Sequence, residues 1–257
     1  MLDSLYDSDF GVLYPMTIIL IAGAAEVGAW LGRRSRGTTD EIPETGTLTG
    51  AALGLLALLL AFSFSLALSR YEARRNWVLE EANAIGSTAN FALMLPESAQ
   101  KPILDLLRAY TAVRVGLGVP YNPTKLERDV ARSLELQNQL WQQAMAVTAA
   151  APQSLPVYRF VASLNEMNNI HERRLTALRY HIPGAVMFLL IAVAMVATGF
   201  TGYHDGARGS RGRVATLLMS LTIAMVIMLV IDLDRPARGL IQVPVEPLID
   251  AQQGIRS

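Results

Sequence analysis

The sequence predicts an all-α integral membrane protein, with four transmembrane helices in two hairpins and a helical-bundle extramembrane domain between spans 2 and 3. Three observations predict it. Four apolar stretches are long enough to cross a bilayer, whose hydrocarbon core of roughly 30 Å needs about 20 helical residues. A polar segment, residues 70–181, separates the first two stretches from the last two. No stretch shows the period-two alternation of a half-buried strand.

The spans are justified in order. Residues 10–32 are apolar with one charge, Glu26, while residues 48–69, 182–203 and 214–231 carry none. Loops 33–47 and 204–213 are short and close the two hairpins. Residues 48–69 run without a proline into Arg70-Tyr71-Glu72-Ala73-Arg74-Arg75. The same helix therefore continues to Pro96, a rod of roughly 70 Å at 1.5 Å per residue. A second rod over residues 157–203 is expected unless Pro183 kinks it. Small residues inside the spans (Gly23, Ala24, Ala25, Gly28; Gly50, Ala51, Ala52, Gly54) predict close helix approach.

The polar segment reads as helix throughout. Residues 97–115 stop at Gly116-Leu117-Gly118-Val119-Pro120, and Asn122-Pro123 opens the next helix as N-cap and N1. That helix reaches about residue 150, and Ala151-Pro152-Gln153-Ser154-Leu155-Pro156 is a turn. The domains are thus a first transmembrane hairpin 1–69, a helical extramembrane domain 70–181, a second hairpin 182–231 and a tail 232–257. An even number of spans puts both termini on the domain's side. Arginines do not decide which side that is. Six lie in the short loops (Arg33, Arg34, Arg36, Arg208, Arg211, Arg213) and eight flank the domain (Arg70, Arg74, Arg75, Arg173, Arg174, Arg179, Arg235, Arg238).

Composition fits the same class. The chain of 257 residues is 52% hydrophobic and only 17% charged, with zero net charge and no cysteine. Its mean hydropathy is +0.32. Neutrality gives nucleic acid no electrostatic footing, and the lack of cysteine excludes disulfides, thiol catalysis and thiolate metal sites. Asp3, Asp7 and Asp9 replace the basic start of a signal peptide.

Enzyme chemistry finds no support. His171-Glu172-Arg173-Arg174 lacks the second histidine of a zinc protease motif, and His171, His181 and His204 suggest no shared site. Gly116 and Gly118 lie in a helix–helix turn, not in a phosphate loop. Three other constellations carry possible function. Asp232, Asp234 and Arg235 leave the fourth span together, as a cation clasp or a salt-bridged junction. Glu26 is an intramembrane carboxylate about 10 Å from the basic end of its span, costly there without a partner or a wet cavity. On span 2, Gly54, Leu58, Phe62 and Leu66 form one stripe, four residues apart, with Ser65 and Ser69 beside it. Several copies of that helix around an axis make an apolar constriction, which gates by dewetting. In a single chain the same stripe is lipid or core packing.

The stripe followed by Ser69-Arg70-Tyr71 resembles the apolar neck of bestrophins, which ends in a Thr-Arg-Trp-like step. Phe62 falls at the last neck aromatic and Leu58 at the one before. Gly54 stands where the family has a larger apolar residue. Ser69-Arg70-Tyr71-Glu72-Ala73-Arg74-Arg75, Glu81-Ala82-Asn83-Ala84-Ile85-Gly86 and Asp232-Leu233-Asp234-Arg235-Pro236 resemble the bacterial bestrophin-like domain family, over about residues 46–250. The resemblance implies a homopentameric anion channel of the bacterial inner membrane, with span 2 lining the pore and a cytoplasmic helical domain. Leu58, Phe62 and Leu66 would form the neck, and Arg70, Arg74 and Arg75 would attract anions. Asp232 and Asp234 fall near the calcium clasp of animal bestrophins, but its dense acidic run is absent, so no cofactor is expected. Two alternatives stand beside the channel: a non-conducting scaffold or signalling protein whose domain binds a partner, and, more weakly, a transporter using Glu26, for which no paired broken helices speak.

Overall fold

The computed structural model describes residues 10–35, 45–117, 122–209, 212–235 and 239–255, excluding the side chains of Phe10 and Thr45. Expectations placed on Asp3, Asp7, Asp9, Arg36, Gly118, Val119, Pro120, Arg211, Pro236, Ala237 and Arg238 lie outside the described residues. All regular structure among the described residues is helical: α1 (Phe10–Ser35), α2 (Thr45–Ala92), α3 (Glu97–Val115), α4 (Pro123–Ala150), α5 (Leu155–Arg179), α6 (Gly184–Arg208), α7 (Arg213–Asp234) and α8 (Glu246–Gly254). Four of the helices are long and apolar enough to cross a membrane. The chain is therefore a multi-pass membrane protein.

The helix ends follow from local chemistry. Asn122 caps α4, its side chain accepting the Lys125 amide at 3.0 Å, with Pro123 in the first turn. The rod expected over 157–203 is broken. Helix α5 ends at Arg179, and residues 180–183 are non-helical before α6 begins. Pro183 has no amide to donate and disfavours helix in the residue before it. The freed Ile182 amide donates to Asp234 Oδ2 at 2.8 Å. Helix α2, by contrast, is continuous for 48 residues. Helix α8 lies in the tail and buries Leu248.

The chain divides into two compact units. The first holds residues 1–70, 181–235 and 239–241. Within it α1 packs on α6 and α7, and α6 packs on α7. The α1–α6 contact is a backbone seam. A Cβ on Gly28 or Gly32 would overlap the carbonyl oxygens of Gly199 and Tyr203, and one on Gly202 or Gly206 those of Ala25 and Ala29. Spacing of four along each helix puts these glycines on one stripe, the small-xxx-small arrangement that lets helices approach where lipid offers no hydrophobic drive. Gly23, Gly50 and Gly54 differ: a Cβ added to any of them would meet nothing within 4 Å.

The second unit holds residues 71–180, 236–238 and 242–257. Its core gathers Val78 and Ile85 of α2, Leu107 of α3, Leu140 of α4, Phe160 and Leu164 of α5 and Leu248 of α8.

The seam predicts an asymmetric response to added methyls. Gly202→Val should lower the thermal unfolding midpoint of the detergent-solubilised protein by the equivalent of about 1–3 kcal/mol, the cost of overpacking. Gly23→Ala should leave it unchanged or slightly raised, because alanine is the better helix former.

Candidate functional site

Span 2 buries only a narrow seam: Thr49, Leu56, Ser63 and Ala67. The steps of seven and four keep these residues on one side of the helix. The stripe Gly54, Leu58, Phe62 and Leu66 lies on the other side, and all four are exposed. Leu58 is 53%, Phe62 67% and Leu66 40% exposed, so none of the described residues covers the apolar stripe. Ser65 and Ser69 are exposed as well. Beyond the span, Arg70 is half-buried, Arg74 is buried and Arg75 is exposed.

Glu26 meets Arg213. The guanidinium donates through Nε and one Nη to the two carboxylate oxygens, each at 2.9 Å. This fork-to-fork pairing joins α1 to the start of α7 and gives the Glu26 carboxylate a counter-charge.

The two aspartates at the end of α7 face different partners. Asp232 Oδ1 accepts from the Tyr14 hydroxyl at 3.1 Å and the Leu240 amide at 2.8 Å, and Oδ2 accepts from the Ile241 amide at 2.9 Å. Asp234 accepts from Ile182, as described above. Gly239 lies so close that a Cβ there would be 2.5 Å from Asp232 Oδ1. Asp232 thus ties α1 and the chain after α7 to one carboxylate, and Asp234 ties down the entry to α6. Arg235 is buried beside them. Among the described residues no group of three or more histidines or carboxylates could hold a metal ion.

A fourth cluster, in the second unit, gathers residues that the sequence analysis does not place together. Glu81 is fully buried, and its Oε1 accepts from Arg114 Nε at 2.6 Å while its Oε2 accepts from Arg174 Nη1. Burial pushes the Glu81 carboxyl up, but the two guanidiniums outweigh it and hold the group below the usual carboxylate range. Arg174 also reaches the Arg114 carbonyl at 3.4 Å. The Tyr110 hydroxyl lies 3.2 Å from Glu81 Oε1, 3.1 Å from His171 Nδ1 and 3.3 Å from Gln137 Nε2. An ionised carboxylate only accepts, so the single hydroxyl proton goes to Glu81. The Tyr110 oxygen then accepts from Gln137 and from His171, which fixes the histidine proton on Nδ1 and leaves Nε2 a bare acceptor. Burial and the neighbouring Arg114 push His171 down to about 4.

The only sequence signals for this cluster are Glu81, inside a family-like motif, and Arg174, three residues after a histidine that lacks a metal-site partner. Nothing in the sequence marks Arg114, Tyr110 or Gln137, which join it from other helices.

A family model described as the Bestrophin-like domain matches residues 19–248, and the chain belongs to this family. No curated protein matches it. Among solved structures, a single-substitution variant of a bacterial bestrophin homologue from Klebsiella pneumoniae is similar with a TM-score of 0.73 at 14% identity, covering 93% of this chain and 97% of its own. A second variant of that homologue gives 0.73 at 14% identity, with 93% and 95% covered. A crystal structure described as a membrane protein gives 0.74 at 13% identity, with 93% and 97% covered. At such identities the likeness is one of fold.

Two predictions rest on this geometry. Asp232→Ala strands a hydroxyl and two amides, and should lower the unfolding midpoint by the equivalent of about 2–4 kcal/mol in detergent. A midpoint equal to wild type would mean that water replaces the carboxylate without loss. The second concerns pH. The unfolded chain binds a proton at His171 near pH 6.5, the folded chain only near about 4. Stability is therefore lost as pH falls through that window, by up to about 3 kcal/mol. Denaturant unfolding followed by tryptophan fluorescence should show this slope, and His171→Gln should flatten it.

Proposed function

We propose that this bestrophin-like protein is the subunit of an oligomeric ion channel, a homopentamer conducting inorganic anions across a bacterial inner membrane. The observation that supports this reading best is the uncovered apolar stripe of span 2. In a ring of subunits Leu58, Phe62 and Leu66 form the neck, where an apolar constriction controls passage by wetting and dewetting. Gly54 leaves the first level of that neck wide. Arg70 and Arg75 raise the local anion concentration at the end of the span, with Arg74 adding to the field from a buried position. The helical domain, residues 70–181, and both termini face the cytoplasm. Asp232, Asp234 and Arg235 act as a hydrogen-bonded junction that needs no bound calcium, because Asp232 spends both oxygens on internal donors.

Purified protein in planar bilayers tests this reading. Phe62→Ala should raise single-channel current or open probability severalfold over wild type at equal protein. If neither protein passes ions and the native mass is that of a monomer or dimer, the chain is instead a non-conducting scaffold whose helical domain binds a partner.

A further inference from the structure

Arg114 lies in the second unit with a fully buried side chain. Its Nε is spent on Glu81, but Nη1 and Nη2 are buried and meet no acceptor among the described residues. Within the cluster Glu81 Oε1 accepts from Arg114 Nε and the Tyr110 hydroxyl, Oε2 accepts from Arg174, and the Tyr110 oxygen accepts from Gln137 and His171. The Tyr110 ring lies 5.9 Å from the guanidinium carbon, in cation–π range, and leaves the in-plane N–H groups of the fork without a partner.

Charge decides what belongs on that fork. Glu81 contributes one negative charge against the two positive charges of Arg114 and Arg174, and arginine does not deprotonate in proteins. The neutral His171 adds none. The buried cluster therefore carries a net charge of about plus one, which low-dielectric surroundings penalise by several kcal/mol unless a counter-charge is present. A water molecule would satisfy the donors and leave the charge. A monovalent anion does both, and a guanidinium fork is shaped for it. We propose that Arg114 Nη1 and Nη2 hold a small monovalent inorganic anion, a halide or nitrate, inside the helical unit, as an internal site separate from any pore.

The test does not depend on conduction. The purified full-length protein is heated in sodium chloride, bromide or nitrate and in sodium gluconate at equal ionic strength. Small anions should raise the midpoint by about 3–8 °C at concentrations near a hundredfold above their dissociation constant, along a saturating curve. Arg114→Gln should remove that dependence, while Arg173→Gln, outside the cluster, should keep it. Equal midpoints for wild type in chloride and gluconate, or a shift that survives in Arg114→Gln, would overturn the proposal. If Arg114→Gln does not fold, crystals of wild type grown in bromide decide. An anomalous peak within hydrogen-bond reach of the Arg114 Nη atoms supports the site, and a map without one rejects it.

Discussion

In a bilayer an apolar helix face gains nothing by turning away from lipid, so spans are held together by close approach and polar pairing. The membrane unit of this protein follows that constraint in detail. Glycines on α1 and α6 bring two backbones into contact along one seam. Glu26 and Arg213 lock α1 to α7 through charge, and the Tyr14 hydroxyl ties α1 to the far end of the same helix through Asp232. Span 2 has neither device on its Leu58–Phe62–Leu66 side. A Cβ added to its glycines there, Gly50 or Gly54, would meet nothing within 4 Å. A helix with small residues and no partner for them is the part of the unit best suited to meet another copy.

The second unit obeys a different rule. An apolar core forms there from α2, α3, α4, α5 and α8. Polar groups enter that core only as a connected set. Glu81 is the hub, because its two oxygens collect one tyrosine and two arginines from α3 and α5. Such a set contributes little net stability against an apolar replacement, but losing Glu81 leaves two buried guanidiniums uncompensated.

What the sequence disclosed divides along the same line. The spans were legible because an uncharged apolar run of that length is hard to place anywhere but in a bilayer, and the cap at Asn122 because its chemistry is local. The small residues of span 1 were legible as a class. Which of them make contact was not, since Gly23 and Gly28 differ only in what lies opposite. Pro183 showed that a break was available, while the Asp234 acceptor that stabilises the broken backbone lies 52 residues away. Helix α8 is nine residues long and owes its place to Leu248 in the shared core, so no periodic run announces it. The bestrophin-like resemblance carried family and fold, and pointed at Glu81 without saying what Glu81 meets.

The stretch of chain across the Glu81 cluster has a consequence for synthesis. Arg114 follows Glu81 by 33 residues and Arg174 by 93. At about 5–20 residues per second, the second guanidinium leaves the ribosome roughly 5–20 s after the carboxylate. Until then Glu81 Oε2 lacks the donor that α5 supplies, and burying a carboxylate oxygen without its donor is costly. The polar centre of the second unit can therefore close with every partner in place only once α5 has been made.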